Sequence, residues 1–281
     1  MVSVGRGYSE TRAFAFLAKV SDEKIKQRRE ISKAVKSLKN KASFLDIGAG
    51  AGDTFIETSR YFKESVAIEP GSRMFEILNK NTEKYLAAAG RKNKDITLLE
   101  SDWDTFYKEN SKKYEGYFDL IACVHAIYFF KDIKKEISRM LKFLNDDGKL
   151  LIICATGRSQ DKDFVHIFRH KLLRTPVVKE AKFSRIKKMF PKNCSEHIIS
   201  TKLTLENFNS MDKDYLSEKN APTNYYLKFA FKKFYDQYSA EEKKLLRNYL
   251  EKHKLKDGRY MITQKQSIYI ITKITKKPYH K

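Results

Sequence analysis

The apolar positions of this chain change period several times, and the changes mark its elements. Phe44, Leu45 and Ile47 make a short apolar run, the pattern of a strand buried on both faces. Similar runs recur at Val66-Ala67-Ile68, at 95–99, over 117–124 (YFDLIACV) and over 149–154 (KLLIIC). Between them apolar residues return every three or four positions. Phe55, Ile56 and Tyr61 follow Asp53 and Thr54, either of which can cap the helix they open. Met74, Ile77 and Leu78 line a helix from Ser72 to Ala88 with Gly90 as its stop, and another helix covers 133–144. Strands alternating with helices predict a parallel sheet with helices on both faces.

The flanks read differently. Residues 9–20 are amphipathic, with Phe14, Leu17 and Ala18 on one face. A helix from Ser21 to about Leu38 should turn Ile25, Ile31, Val35 and Leu38 inward. After the fifth strand the rhythm breaks. Residues 157–192 are basic and helical in pattern, interrupted at Thr175-Pro176, and read as an insertion over the carboxyl ends of the strands. A strand is expected at 197–200, a short helix at 204–211, and helices at 222–238 and 239–253, the last opened by a capping box of Ser239 and Glu242. The final stretch 266–275 (QSIYIITKIT) alternates as a strand near an edge.

The first strand runs into the densest chemistry of the chain, SFLDIGAGAGDTF over 43–55. Gly48, Gly50 and Gly52 let the chain turn sharply and bring backbone amides against a ligand at a helix N-terminus. A plain strand-to-helix turn would look similar. Two carboxylates narrow the reading. Asp46 precedes the first glycine, where it would repel a pyrophosphate but suit a cationic amino group. Glu69 ends the next strand, the place for an acid that accepts both ribose hydroxyls. An adenosine without phosphate and with an ammonium group is S-adenosyl-L-methionine.

Composition narrows the class. The 281 residues, 41% apolar and 13% aromatic, can bury a real core. The longest apolar run, 120–130, is too short to span a bilayer and contains His125, and no charged-then-apolar leader is visible, so a cytoplasmic protein without membrane contact is expected. Cys123, Cys154 and Cys194 lack metal-ligand spacing and read as free buried thiols, so no metal is expected. The net charge is +22, and residues 151–281, with 29 basic and 13 acidic side chains, carry +16 of it. The excess is lysine, 43 against 14 arginines, which reads as a solvated surface; an acidic or nucleic-acid partner for the basic C-terminal half is the sharper alternative.

Further motifs follow the turn in order: Ile68-Glu69-Pro70, Glu100-Ser101-Asp102-Trp103, and FDLIACVHAIYFF over 118–130. In this series the chain resembles the class I S-adenosylmethionine-dependent methyltransferases. More narrowly it resembles the histamine N-methyltransferase group, through Glu69-Pro70, Tyr128-Phe129-Phe130-Lys131-Asp132-Ile133 and Ser267-Ile268-Tyr269-Ile270-Ile271. The resemblance implies a Rossmann-like methyltransferase fold of class α/β: a mostly parallel sheet with an antiparallel last strand, helices on both faces and a helical insertion after the fifth strand. It divides the chain into an N-terminal helical lid (1–40), a cofactor-binding core (41–156), a helical substrate-side insertion with the sixth strand (157–255) and the closing strand (256–281).

The resemblance also implies roles. Gly48 and Gly50 approach the methionine part of the cofactor, Asp46 its amino group, Glu69 with Pro70 the ribose, Ser101 and Asp102 the adenine with Trp103 alongside, and Val124 the cofactor from the fourth strand. Asp102 can equally be a helix cap and Trp103 plain core. The histamine group has serine at the position of Asp46, glutamine at Met74, and a substrate-contacting glutamine at His125. His125 is therefore the candidate catalytic residue, able to take a proton from an acceptor amine or to hydrogen-bond it, unless it is simply structural. Tyr8, Asp22, Glu23, His125, Tyr128 and Phe129 are the candidate substrate contacts, with Phe16 a further lid residue.

The expected reaction is direct displacement of the methyl by a nitrogen of a small-molecule acceptor, leaving S-adenosyl-L-homocysteine, with the enzyme a monomer. Two alternatives stay open: an RNA or protein acceptor docked on the basic half, and a binding module that keeps the fold without the chemistry.

Overall fold

The computed structural model describes residues 19–89, 95–155 and 185–274, save positions 216, 218 and 232. Seven strands form one sheet: β1 (Ser43–Ile47), β2 (Glu64–Ile68), β3 (Ile96–Leu99), β4 (Phe118–Val124), β5 (Leu144–Ala155), β6 (Cys194–Leu205) and β7 (Tyr260–Thr272), in the order β3-β2-β1-β4-β5-β7-β6. The pairs among β1 to β5 are parallel, with Leu45 opposite Val66 and Phe44 opposite Leu120. β6 and β7 run antiparallel: the Thr272 amide donates to the Asn193 carbonyl at one end and the Thr201 hydroxyl to the Gln264 carbonyl at the other. The strand order reverses between β1 and β4, and the carboxyl ends of strands at such a reversal are where sheets of this kind hold ligands.

The helices are α1 (Glu23–Lys36), α2 (Asp53–Ser59), α3 (Ser72–Ala89), α4 (Trp103–Asn110), α5 (Ile133–Phe143), α6 (Ile186–Met189), α7 (Phe208–Lys213), α8 (Ala221–Phe231) and α9 (Ala240–Glu251). The chain divides into two compact units. One takes the described residues of 27–155, 185–198 and 267–274. Its core joins Leu45, Ile47, Ile121 and Ile152 of the strands to Ile137 and Met140 of α5. The other takes 19–26 and the described residues of 199–266, with a core of Leu205, Phe208, Phe231, Tyr235, Leu246 and Ile262.

Several expectations need correction. Ile25 is 56% exposed, and the buried stripe of α1 is Gln27, Glu30, Ile31, Ala34 and Val35. Polar partners on the sheet accept Gln27 and Glu30, which turns the helix away from its own isoleucine. Neither Asp53 nor Thr54 caps α2; the cap position is Gly52 at φ +88°, with no side-chain bond. The helix expected over 222–238 ends at Phe231, and Tyr235–Gln237 form a separate 3-10 turn. There the Tyr235 amide is claimed by Asn224 Oδ1 at 2.8 Å. The expected helix at 204–211 yields to the last residues of β6 and starts only after Asn207, whose side chain caps it. The Ser239–Glu242 capping box is formed, with bonds of 3.2 and 2.8 Å. Most of the expected insertion over 157–192 lies outside the described residues.

Candidate active site

The glycine turn is pinned to the neighbouring strand. The Gly48 and Ala49 amides both donate to the Ile68 carbonyl, at 2.9 and 3.0 Å. Gly48 (φ +72°), Gly50 (φ +57°) and Gly52 are all left-handed, a region L-residues enter at a cost. A Cβ on Gly48 would come 2.6 Å from the Ala126 Cβ, so the β1 turn meets the segment after β4 with no room for a side chain. Gly50 would meet only Met74, at 3.7 Å, and so lies in more open space.

Two carboxylates stand at this turn. Glu69, just past β2, accepts from the Gly50 amide through Oε2 and from the Gly71 amide through Oε1, both at 2.9 Å. Each oxygen keeps a further lone pair that a hydroxyl could use. Pro70 holds the chain between the two bonds. Asp46 is 1% exposed, and its Oδ2 has no hydrogen-bond partner among the described residues. Burial, and then the negative charge of Glu69, push the Asp46 carboxyl up to about 7. Such a group is costly to ionise without a partner. A buried acid with an orphaned oxygen beside open glycine backbone fits a cationic ligand group.

The third strand leads to the next group. The Ser101 amide donates to the Glu69 carbonyl at 3.2 Å, and the Ser101 hydroxyl to the Asp102 carbonyl at 3.0 Å. Asp102 caps α4: its carboxylate accepts from the Thr105 amide and hydroxyl, at 2.9 and 3.0 Å. The Thr105 amide is the main reason its carboxyl lies below the usual range. Trp103 is 4% exposed and sits against Phe106, Tyr107 and Phe143, its indole N–H donating to Glu136 at 2.9 Å. It belongs to the core.

After β4, Val124 is half-buried and His125 takes a left-handed backbone at φ +56°. That non-glycine strain at a strand end is a mark of a functional position. The His125 amide donates to the Ile153 carbonyl at 2.9 Å. Both ring nitrogens are engaged: Nε2 lies 2.9 Å from Gln27 Nε2 of α1, and Nδ1 lies 3.1 Å from the Tyr128 hydroxyl. With the Gln27 amide donating, Nε2 accepts and the ring proton sits on Nδ1, toward Tyr128. The His125 and Tyr128 rings stack at 6.0 Å, and the Tyr128 oxygen also takes the Ala155 amide. Tyr128 is thus built into the wall, whereas Phe129 is 85% exposed.

The structure brings Asp46, Gly48, Gly50, Glu69, Pro70, Ser101, Val124 and His125 to the carboxyl ends of β1 to β4. Asp22 and Glu23 belong to the other unit, where Asp22 accepts from the Lys202 amide at 2.6 Å and pairs with Lys26 at 2.8 Å. Tyr8 and Phe16 lie outside the described residues. Two residues were not anticipated. Gln27 could have been found as the polar start of a Gln27, Glu30, Ile31, Ala34 stripe at helical spacing. Ala126 carries no signal until the turn is seen against it. Cys123, buried below Asp46, has its thiol pushed up by burial, as expected of an inert thiol. A polar cleft of about 710 Å³ in the other unit includes Asn207, Lys213, Asn220 and Arg259 in its lining, but Asn220 is consumed by bonds to Ser210 and Asp214. Among the described residues no cluster could hold a metal ion, and no helix is long and apolar enough to cross a membrane.

Comparison with known proteins bears on the family and the fold. A family model described as a methyltransferase domain matches residues 18–210. The chain is 28% identical over 153 residues to the uncharacterized methyltransferase YcgJ of Bacillus subtilis, covering 53% of this chain and 55% of that one. It is 26% identical over 140 residues to a histamine N-methyltransferase of Danio rerio, covering 47% and 48%. The chain thus spans about half the length of the curated relatives it matches. The crystal structure of YcgJ superposes with a TM-score of 0.52 at 18% identity, over 88% of this chain and 99% of that one, which is agreement in fold.

Proposed function

The chain belongs to the methyltransferase-domain family, and from that premise we propose that it is an S-adenosyl-L-methionine-dependent methyltransferase acting on a nitrogen of a small molecule. The observation that carries the reading is the buried Asp46 carboxyl beside the glycine turn, whose Oδ2 has no hydrogen-bond partner among the described residues. Asp46 would hold the amino group of the cofactor, Gly48 and Gly50 would leave room for its methionine part, and Glu69, fixed by two backbone amides, would accept the ribose hydroxyls. Ser101 and Val124 would line the remainder, with Asp102 and Trp103 acting through the shape of α4. When bound, that cofactor supplies a methyl group already activated on a positive sulfur.

The protein's own task is then to orient an acceptor, exclude water and carry off a proton. His125 is the residue for the proton. One of its two ring bonds, to Gln27 or to Tyr128, must open or exchange for an acceptor nitrogen to reach it. Phe129, and Tyr128 behind it, would wall the acceptor. The narrower likeness to the histamine N-methyltransferase group favours a nitrogen. A cytoplasmic monomer completes the proposal.

The basic composition favours a second reading, an RNA or protein acceptor. Incubation with methyl-labelled cofactor and fractionated cell extract separates the two. Label in small metabolites supports the first reading and label in RNA or protein the second. A protein that takes up no cofactor in calorimetry overturns both.

A further inference from the structure

The outer face of α5 and α6 carries an unusual set of side chains. Helix α5 buries Ile133, Ile137 and Met140, and α6 packs beside it through Ile186, in the same core. What remains outside is cationic. Lys131 just before α5, Lys134 and Lys135 in its first turn, and Lys187 and Lys188 on α6 are all exposed. None of the five ammonium groups has an ion-pair partner among the described residues. The acids nearby are already committed. Asp132 caps α5 by accepting from the Lys135 amide at 3.0 Å, and Glu136 takes the Trp103 indole at 2.9 Å and Arg139 at 3.1 Å. Among the described residues the five lysines are thus left without direct ion pairs, and the Asp132 carboxylate offsets their charge only in part.

Next to the lysines stands Phe129, 85% exposed at the end of the 3-10 turn Ile127–Phe129, two residues before Lys131. An exposed phenylalanine costs solubility and here contributes to no core. A lone aromatic beside a row of unpaired lysines matches a single-stranded nucleic acid, whose phosphates the ammonium groups would neutralise while a base stacks on the ring. An acidic peptide would leave Phe129 without a partner. A membrane surface would call for several neighbouring apolar anchors, whereas the other exposed large apolar residues, among them Tyr61, Leu245 and Ile274, come from separate parts of the chain. We infer that the α5–α6 face with Phe129 is a docking surface for single-stranded nucleic acid. Phe129 also borders the acceptor side in the proposed function, but docking itself needs neither the cofactor nor a particular acceptor, so the two are tested apart.

The test uses the full chain and a fluorescein-labelled 20-nucleotide oligouridylate, read by anisotropy without cofactor over a range of salt. A single strand neutralised by about four lysines gives a slope of log K against log salt near −3, at roughly −0.7 per phosphate. The variant K134A/K135A/K187A/K188A should lose at least tenfold in affinity and most of that slope. Phe129→Ala should weaken binding about tenfold with the slope unchanged, because base stacking is not screened like charge. All five positions are exposed, and circular dichroism checks that each variant folds. Equal binding by wild type and the quadruple variant, or no binding of the oligonucleotide at 50 mM salt, overturns the inference. So does tighter binding, through the same lysines, to polyglutamate or to phosphatidylserine vesicles. Cofactor titration of the same samples by calorimetry shows separately whether the proposed activity stands.

Discussion

Gln27 of the first helix reaches 2.9 Å from His125 Nε2, a residue ninety-eight positions later at the end of β4. Gln27 is 5% exposed and His125 half-buried, so losing the amide would remove a partner from a partly shielded ring nitrogen and leave a gap at Gln27. Such a loss costs about 1–3 kcal/mol. Gln27→Ala should lower the free energy of unfolding in urea by that amount. If His125 carries the proton, the same variant should reduce turnover roughly tenfold and leave cofactor affinity within twofold, because Gln27 orients the ring without touching the cofactor. A Gln27→Ala protein with weakened cofactor binding and normal turnover would place Gln27 in a different role.

Asp46 gives the pH dependence. Its carboxyl lies at about 7 in the folded protein, above the unfolded value, with burial the main cause and Glu69 the second. The unfolded chain therefore gives up this proton first as pH rises. Stability falls between about pH 4 and pH 7 and is flat above, by an amount on the order of a few kcal/mol. Asp46→Asn removes the charge at similar volume. It should leave the unliganded protein more stable than wild type at pH 8, with the difference vanishing near pH 4, as read by urea titration at each pH. Cofactor affinity should do the reverse. Wild type should bind up to about tenfold more weakly per pH unit below 7, because the acid must ionise to meet an ammonium, and Asp46→Asn should lose that dependence. Calorimetry at pH 6 in two buffers of different ionisation enthalpy should detect the released proton.

How far the sequence foretells this site depends on whether a residue answers to its neighbours along the chain or across the fold. Strands β1, β2 and β4 and the glycine turn are legible because their apolar runs and left-handed positions are local demands. Ser239 and Glu242 are legible for the same reason, a capping box being a contact four residues long. Gln27 is not, because its partner comes from β4. A polar side chain on a buried stripe looks like an error of phase until the partner is seen. Ile25 was misplaced by the same reasoning, since the inward face of α1 is chosen by what Gln27 and Glu30 meet, His125 and His197. Asp102 and Trp103 read as ligand contacts or as cap and core with equal ease, and the cap and indole bonds are formed within the protein itself.

The contact of Gly48 with Ala126 is a packing prediction. A methyl group at Gly48 would overlap the Ala126 Cβ at 2.6 Å and force an L-residue to φ +72°. The left-handed backbone alone costs about 1–2 kcal/mol. The overlap adds a cost typical of overpacking, about 1–3 kcal/mol. Gly48→Ala should thus lower stability by roughly 2–5 kcal/mol in chemical denaturation. The double variant Gly48→Ala with Ala126→Gly should recover the overlap part and keep the backbone part, so the two changes should couple favourably. Additive losses would mean that the turn and the β4 segment do not press on each other.

Glu69 and Trp103 form a matched pair of tests, since the proposed cofactor role belongs to the first and the core role to the second. Glu69 bridges the Gly50 and Gly71 amides, so Glu69→Ala removes two charge-assisted bonds and any hydroxyl contacts that the carboxylate makes. A hydrogen bond from a ribose hydroxyl to the carboxylate contributes about 1.5–3 kcal/mol, so losing such contacts should lower cofactor affinity in calorimetry at least tenfold, with Glu69→Gln intermediate. Trp103→Phe keeps an aromatic against Phe143 but strands the Glu136 carboxylate, which retains Arg139. It should cost about 1–2 kcal/mol of stability, the size of one lost hydrogen bond with some packing, and leave cofactor affinity within twofold. If Trp103→Phe weakens cofactor binding as strongly as Glu69→Ala while the fold holds, the indole reaches the ligand after all. Trp103 would then have to leave its bond to Glu136 on binding.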